Sequence, residues 1–182
     1  MKKVIVFNML SVDGFFAGVD GNINWHNVDA EFNEFAIKQL GEVGILLFGK
    51  TTYDVMASYW PKEQAVNDDP IVAGLMNSLP KIVFSRSMDK AEWNNTEIKD
   101  KIEIEEIRKL KQALEKDIFI FGSGTIVQEF AKLGLVDEYR LMVNPVVLGQ
   151  GKPLFKQPSK LKLLESKQFN NGNVLLYYQA IK

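Results

Sequence analysis

The chain has 182 residues, with 22 lysines and arginines against 23 aspartates and glutamates, one histidine and no cysteine. The lack of cysteine excludes disulfides and thiol chemistry, and a single histidine excludes any site that needs two. A net charge of −1 gives no electrostatic case for binding nucleic acid or a membrane surface. No apolar run approaches the roughly 20 residues that span a bilayer. We therefore expect one globular, cytoplasmic domain over residues 1–182, without a metal, nucleic-acid or membrane partner.

Short apolar runs alternate with segments of helical periodicity through most of the chain. Four runs rich in β-branched and aromatic residues predict buried strands, at Val4–Phe7, Ile45–Phe48, Ile82–Phe84 and Ile118–Phe121. Apolar residues at helical spacing predict helices between and after these strands, near Phe32, Ile107 and Ile126. Because alternating strands and helices need right-handed crossovers, the pattern predicts an α/β fold with a mostly parallel sheet.

The C-terminal part has a different pattern. One long strand is predicted over Tyr139–Val147, and two more over Leu161–Ser166 and Val174–Ile181. The last two flank Asn170–Asn173, whose Asn-Gly step is a strong hairpin signal. The sheet is therefore predicted to be mixed, with an antiparallel C-terminal edge. Earlier in the chain, Asn67–Pro70 is predicted to be a loop.

Three predicted strands end in residues suited to binding an anion. These segments are Gly49-Lys50-Thr51-Thr52, Ser85-Arg86 and Gly122-Ser123-Gly124-Thr125. A helix that starts after a glycine turn offers free N–H groups to a phosphate, and arginine supplies a planar pair of donors. Ligands of open α/β sheets bind outside the carboxyl ends of the strands, so the three segments together predict a phosphate-bearing cofactor. The two basic residues favour NADP over NAD. Taken singly, each segment also fits a helix cap, a polar loop or a tight turn.

The segment after the first strand combines apolar side chains with two acids. Trp25 and Phe35 flank Asp29 and Glu31, which lie in the first turns of a predicted helix. An acid among apolar groups has a raised pKa and can relay a proton, although acids also favour helix N-termini for structural reasons alone. His26 fits a surface or half-buried position better than a catalytic one, because no Ser/His/Asp order accompanies it.

The order of these segments resembles the dihydrofolate-reductase-like superfamily over nearly the whole chain. The closest branch is similar to the reductase domain of bacterial riboflavin biosynthesis. The matching segments are Ser11–Phe15, Asn24-Trp25, Phe48–Tyr53, Ile82–Arg86, Ile120–Gly124, Gly134–Tyr139 and Pro145–Gly149. Asn24 stands where folate reductases usually have proline.

The resemblance implies a three-layer fold, with a mostly parallel eight-stranded sheet, an antiparallel last strand and flanking helices. It also implies NADPH as cofactor. Carried over by position, the cofactor-binding residues are Phe16 and Ile23 at the nicotinamide, Lys50, Thr51 and Thr52 at phosphates, Ser85 and Arg86 at the 2′-phosphate, and Gly122, Ser123, Gly124, Thr125 and Ile126 at the diphosphate. Glu31 best matches the family's pterin-binding acid, with Asp29 second and with Trp25 and Phe35 beside the substrate.

Three functions remain open from the sequence. The first is an NADPH-dependent reductase of a small heterocycle, either a phosphoribosylaminouracil-like pyrimidine or a pterin such as dihydrofolate. The second is a non-catalytic nucleotide-binding module on the same fold, and the third is a structural or interaction protein. The apolar runs Leu141–Val143 and Val146–Leu148 fit either a core strand or a homodimer contact, and the riboflavin-type resemblance also implies a homodimer.

Overall fold

A central sheet of eight strands organises the computed structural model, which describes residues 1–181. In chain order the elements are β1 (Val4–Leu10), β2 (Phe15–Ala17), α1 (Ala30–Gly41), β3 (Val43–Gly49), α2 (Lys50–Tyr59), α3 (Glu63–Asp68), α4 (Pro70–Ser78), β4 (Lys81–Phe84), β5 (Thr96–Lys99), α5 (Ile104–Ala113), β6 (Asp117–Ile120), α6 (Gly124–Lys132), β7 (Glu138–Val143), β8 (Lys152–Pro153), β9 (Leu161–Gln168) and β10 (Val174–Ala180). The strand order is β5-β4-β3-β6-β1-β7-β10-β9, and β2 pairs with β8 in a separate ribbon. No helix in this described part is long and apolar enough to cross a bilayer.

The sheet is buried on both faces because its central strands carry apolar side chains at most positions. Val4 and Val6 of β1 face one side, where they pack in a cluster with Phe130 of α6. Ile5 faces the other side and packs in a second cluster with Leu40 of α1. Successive side chains of a strand point to opposite faces, so these clusters form two cores with the sheet between them. The result is a three-layer α/β fold.

The fold class predicted from the sequence is confirmed. All four predicted inner strands and the three predicted helices are present, and β1, β3, β4, β5, β6 and β7 run parallel. The hairpin around Asn170–Asn173 is also present as β9 and β10. The antiparallel C-terminal strand, β10, lies between β7 and β9 rather than at the edge.

The long strand predicted over Tyr139–Val147 is wrong in its extent. β7 ends at Val143, because Asn144 leaves the sheet and donates its side-chain amide to the carbonyls of Leu10 and Met142, at 3.3 and 3.1 Å. The following Pro145 has no N–H for a ladder. Within β7, Leu141 and Met142 are buried, so this part of the apolar run is core and carries no dimer contact.

The loop predicted at Asn67–Pro70 is also wrong. Asn67 and Asp68 end α3, and Pro70 begins α4, so Asp69 alone separates two helices. The Asp69 side chain caps α4 by accepting a hydrogen bond from the N–H of Val72 at 3.0 Å. Asp as N-cap followed by Pro at the first helical position is a helix-start signal. The loop was predicted because Asn, Asp and Pro are also common in turns.

Candidate functional site

Two helices begin side by side at the carboxyl edge of the sheet. β3 and β6 are parallel neighbours, and the N–H of Gly49, the last residue of β3, donates to the carbonyl of Gly122 at 3.1 Å. α2 starts directly after Gly49, and α6 starts directly after Ser123. Neither N-cap makes a side-chain hydrogen bond. The first N–H groups of both helices therefore lack a capping side chain, and free N–H groups at a helix start can bind phosphates.

The backbone between these helices leaves no room for larger side chains. A Cβ on Gly49 would overlap Ser123 Oγ, and a Cβ on Gly122 would lie 2.9 Å from Thr52 Oγ1. Gly122 also has a φ of +112°, a conformation that side-chain-bearing residues rarely adopt. The peptide between Gly122 and Ser123 is cis. The sequence-predicted residues Gly49, Thr52, Gly122 and Ser123 are thus in mutual contact, in what we call the glycine cradle.

Phe16 covers the start of α6 from outside. A Cβ on Gly124 would lie 2.5 Å from a ring carbon of Phe16, so the ring packs directly on that glycine. The loop before Phe16 is held by Asp13, whose carboxylate accepts hydrogen bonds from the N–H groups of Leu148 and Gly149 at 3.1 and 2.7 Å. A hydrogen bond with the Ser11 side chain, helped by these peptide N–H groups, lowers the pKa of Asp13.

Asn8 lies beside the glycine cradle and was not predicted from the sequence. It lies on β1, is 8% exposed, and points to the same face of the sheet as Val6. Its Nδ2 lies 3.8 Å from the position of a Cβ on Gly122. Its Oδ1 is buried and has no hydrogen-bond partner. The available signal was a lone amide within an otherwise apolar strand sequence.

Lys50 and Arg86, the two basic residues predicted to bind phosphates, are exposed at the carboxyl edge of the sheet. Lys50 is exposed and forms an ion pair with Asp54 one turn along α2, at 2.5 Å. Arg86 follows β4, which pairs with β3, and is exposed without an ion pair among residues 1–181. Beside it, Ser85 Oγ accepts a hydrogen bond from the N–H of Ser87 at 3.2 Å. Thr51 and Thr125 are exposed near the starts of their helices, while Ile126 is buried behind the cradle.

The two candidate acids are both engaged near the start of α1. Asp29 is the N-cap and accepts from the N–H of Phe32 at 2.9 Å. Glu31 accepts from the N–H of Asn170 in the β9–β10 hairpin at 2.8 Å, and its carboxylate lies 3.7 Å from Lys167 Nζ. Glu31 thus has a cation and a peptide N–H as partners, which differs from the apolar surroundings that the sequence analysis expected. Within the described residues, no hydrogen bond or ion pair joins either acid to the glycine cradle.

The predicted substrate residues occupy different environments. Phe35 is 9% exposed, with its ring centroid 5.8 Å from those of Phe7 and Phe169, and is therefore mainly a core residue. Trp25 is half-buried and packs edge-on against His26 at 4.5 Å. Ile23, predicted at the nicotinamide, is 37% exposed in the same loop.

His26 is buried more deeply than a surface histidine. Burial lowers the pKa of His26 to about 4, although a hydrogen bond to the backbone of Phe16 acts in the opposite direction. Its Nε2 is buried without a partner. The lowered pKa favours the neutral form of the imidazole at pH 7.

The RibD C-terminal domain family matches this chain over residues 2–175. The chain belongs to that family. It is 35% identical to the Bacillus subtilis protein YyaP over 97% of this chain and 94% of that protein. Among solved structures, a putative riboflavin biosynthesis protein from Shewanella sp. PV-4 superposes with a TM-score of 0.75 at 23% identity, covering 99% of both chains. Dihydrofolate reductase from Enterococcus faecalis, solved with NADP(H), superposes with a TM-score of 0.66 at 14% identity, covering 99% of this chain and 97% of that one.

RibD C-terminal membership, together with the dihydrofolate-reductase-like fold, supports an oxidoreductase in general. The glycine cradle itself fits a dinucleotide. It combines two uncapped helix N-termini, glycines that allow close approach of a ligand to the backbone, and a buried amide oxygen without a partner. These features accept phosphates and a polar ring substituent, which are the groups that a nicotinamide dinucleotide carries.

Proposed function

We propose that this protein is an NADPH-dependent reductase of a small heterocyclic substrate. The observation that carries the proposal is the meeting of α2 and α6 at the glycine cradle, where two helix N-termini converge on one point at the carboxyl edge of the sheet. Two helix N-termini that meet at one place offer free N–H groups to several oxygens, which suits a diphosphate. A diphosphate seated there extends a dinucleotide along the strand ends, as in other open α/β sheets.

Each part of the cofactor has residues suited to hold it. The Gly122–Thr125 segment and the first N–H groups of α6 bind the diphosphate, and Lys50, Thr51 and Thr52 bind at the start of α2. Phe16 packs on Gly124, where an aromatic ring shields a ligand from water. When bound, NADPH supplies a hydride, and the protein's task is to orient it against the substrate ring.

Preference for NADPH over NADH rests on Arg86. Its guanidinium has no ion-pair partner in the described structure, so it is free to bind a 2′-phosphate in bidentate fashion. Ser85 Oγ lies beside it and adds a short hydroxyl donor. Lys50 contributes less, because Asp54 already neutralises part of its charge.

The proton is assigned to Glu31 or to a water that it holds, with Asp29 as the second choice. Glu31 lines a cavity of about 230 Å³ together with Phe35, Lys167 and Tyr177, so a small molecule or water can reach its carboxylate. Asp29 has one oxygen committed to the helix cap. The substrate class is a ribosylaminopyrimidine or a pterin, both of which offer a reducible C=N or C=O. Trp25 lies in the loop that precedes α1, the helix that carries Glu31.

Titration calorimetry with NADPH and NADH tests the cofactor assignment. We expect tighter binding of NADPH, and an Arg86→Ala variant that loses NADPH affinity by about 10- to 100-fold, since a hydrogen bond to a charged group contributes roughly 1.5–3 kcal/mol. NADH affinity should not change. Lys90→Ala, an exposed lysine in the same loop, is the matched control for charge removal. A wild-type protein that binds neither dinucleotide at millimolar concentration refutes the proposal.

Oxidation of NADPH with dihydrofolate, and with a phosphoribosylaminouracil, tests the reaction and the acid. Glu31→Gln keeps an acceptor for the Asn170 N–H, and Asp29→Asn keeps the helix cap, so both variants should fold. We expect Glu31→Gln to slow turnover about 10²- to 10⁴-fold with unchanged cofactor affinity, the usual contribution of a general acid. The opposite ranking of the two variants would transfer the role to Asp29. Cofactor binding without turnover of any substrate would instead indicate a nucleotide-binding module.

A further inference from the structure

Asn8 carries a hydrogen-bonding capacity that the folded protein leaves unused. Its Oδ1 is buried without a partner, and no hydrogen bond to its Nδ2 is present within residues 1–181. Its neighbours on the same face of β1 are Val6 and Leu10, both in the apolar core cluster. A buried amide that pairs with nothing destabilises a fold, and an apolar residue of similar size would remove that cost. The fold alone therefore gives no reason for an asparagine here.

The position of Asn8 relates this unused amide to the candidate site. Val6 pairs with Ile120, the last residue of β6, and Asn8 and Gly122 each follow two residues later at the same end of these parallel strands. The 3.8 Å separation between Asn8 Nδ2 and the Cβ position of Gly122 places the amide against the cradle. Thr52 Oγ1 approaches the same point from α2, 2.9 Å from that Cβ position. A ligand seated on Gly122 therefore lies near an amide whose donor and acceptor both lack partners among the described residues.

We propose that the Asn8 side chain recognises an amide edge of the ligand, with Oδ1 accepting the ligand's N–H and Nδ2 donating to its C=O. This inference rests on the proposed function. An amide edge presents one donor and one acceptor side by side, which is the complement of a carboxamide. A phosphate at neutral pH lacks the donor that a buried Oδ1 requires.

Two groups in the proposed reaction have an amide edge. The carboxamide of the nicotinamide ring is one, and the lactam N–H/C=O of a pyrimidine or pterin is the other. In either case Asn8 acts as a positioning residue, because it fixes the orientation of a ring by hydrogen bonds without taking part in bond making.

Calorimetry with the oxidised cofactor and one analogue distinguishes the nicotinamide carboxamide from the substrate lactam. We use NADP⁺ and its 3-acetylpyridine analogue, in which a methyl ketone replaces the carboxamide and no N–H remains. If Asn8 binds the carboxamide, the wild-type protein should bind NADP⁺ about tenfold more tightly than the analogue, the effect of one neutral hydrogen bond of about 1.4 kcal/mol. Asn8→Leu should bind both about equally, at the weaker affinity.

The same variant distinguishes a ligand-binding amide from a structural one. Asn8→Leu should melt at or above the wild-type temperature, because it removes a buried unsatisfied group. Asn173→Ala is the matched control, since Asn173 is also a buried asparagine with an unpaired Oδ1 but donates to the carbonyl of Asn27 at 2.7 Å. That control should lose stability and retain cofactor affinity.

If Asn8→Leu leaves both cofactor affinities unchanged, binding of pterin and of uracil to the NADP⁺ complex decides the matter, measured by tryptophan fluorescence. About tenfold weaker binding of either probe in the variant assigns Asn8 to the substrate lactam. Unchanged affinity for every ligand, or a variant that melts well below the wild type, overturns the inference while leaving the proposed function standing. A wild-type protein that binds no dinucleotide overturns both.

Discussion

The sole histidine makes the acid stability of this protein testable at one residue. In the folded state burial lowers the pKa of His26 from 6.5 to about 4, against a smaller opposing hydrogen bond to the backbone of Phe16. Between these two values the unfolded chain binds a proton that the folded chain does not. The free energy of unfolding therefore decreases as the pH falls from about 6.5 to 4. Above pH 6.5 the imidazole is neutral in both states, so His26 causes no loss of stability there.

The magnitude follows from the separation of the two pKa values. One unit corresponds to about 1.36 kcal/mol, so the full contribution of His26 is about 3 kcal/mol. Between pH 7 and pH 4.5 the free energy of unfolding should fall by about 2 kcal/mol because of this residue alone. His26→Gln removes the titration while keeping a polar side chain, so its unfolding free energy should show a correspondingly smaller dependence on pH.

Urea denaturation of both proteins at several pH values between 7 and 4.5, followed by circular dichroism, measures this difference. Carboxylates titrate equally in the two proteins and cancel in the comparison. Because there is one histidine, its imidazole resonance in NMR spectra reports the folded pKa without assignment. A resonance that titrates near 6.5 in the folded protein, or equal pH dependence of the two proteins, would refute the reasoning.

Three further predictions concern the cradle, a buried lysine and the sheet edge. Gly122→Ala should lower the melting temperature and abolish dinucleotide binding measured by calorimetry, because the φ of +112° and the 2.9 Å approach to Thr52 exclude a Cβ. Unchanged binding would contradict the assignment of the glycine cradle as the dinucleotide site. Lys81→Met should lower the free energy of unfolding in urea by about 2–3 kcal/mol, since Lys81 is 1% exposed and its ammonium donates to three carbonyls that would lose their donor. An unchanged free energy of unfolding would argue against these hydrogen bonds. We expect a homodimer by light scattering at micromolar concentration, because edge strand β9 leaves Leu163 and Leu164 about half exposed; a monomer mass would count against it.

Much of the fold could be predicted from the sequence because its signals are local. Runs such as Ile45–Phe48 and Ile118–Phe121 predict buried strands, and the Asn170–Asn173 hairpin signal also proved correct. The errors occurred where residues that are common in turns instead began a helix or ended a strand. Asp69 and Pro70 formed a helix start instead of a loop, and Asn144 ended a strand that apolar residues alone would have continued.

The candidate site was predictable in part for the same reason. Glycines and hydroxyls at the ends of β3 and β6 indicate an anion site, and parallel pairing then brings Gly49 and Gly122 into hydrogen-bond contact. Asn8 could not be recognised in this way, because its importance depends on which buried acceptor lacks a donor. That is a property of the packed structure rather than of any local pattern.

The sequence by itself determined the strand–helix alternation, the mixed sheet and the chemistry available at the strand ends. Tertiary structure alone decided that β10 inserts between β7 and β9, that Asn8 lies unpaired beside Gly122, and which partners Glu31 has. Glu31 and the Asn170 N–H that it accepts from are 139 positions apart in the chain. Local propensities extend over a few residues, whereas contacts of this kind arise only when the sheet closes and each buried polar group either finds a partner or remains without one.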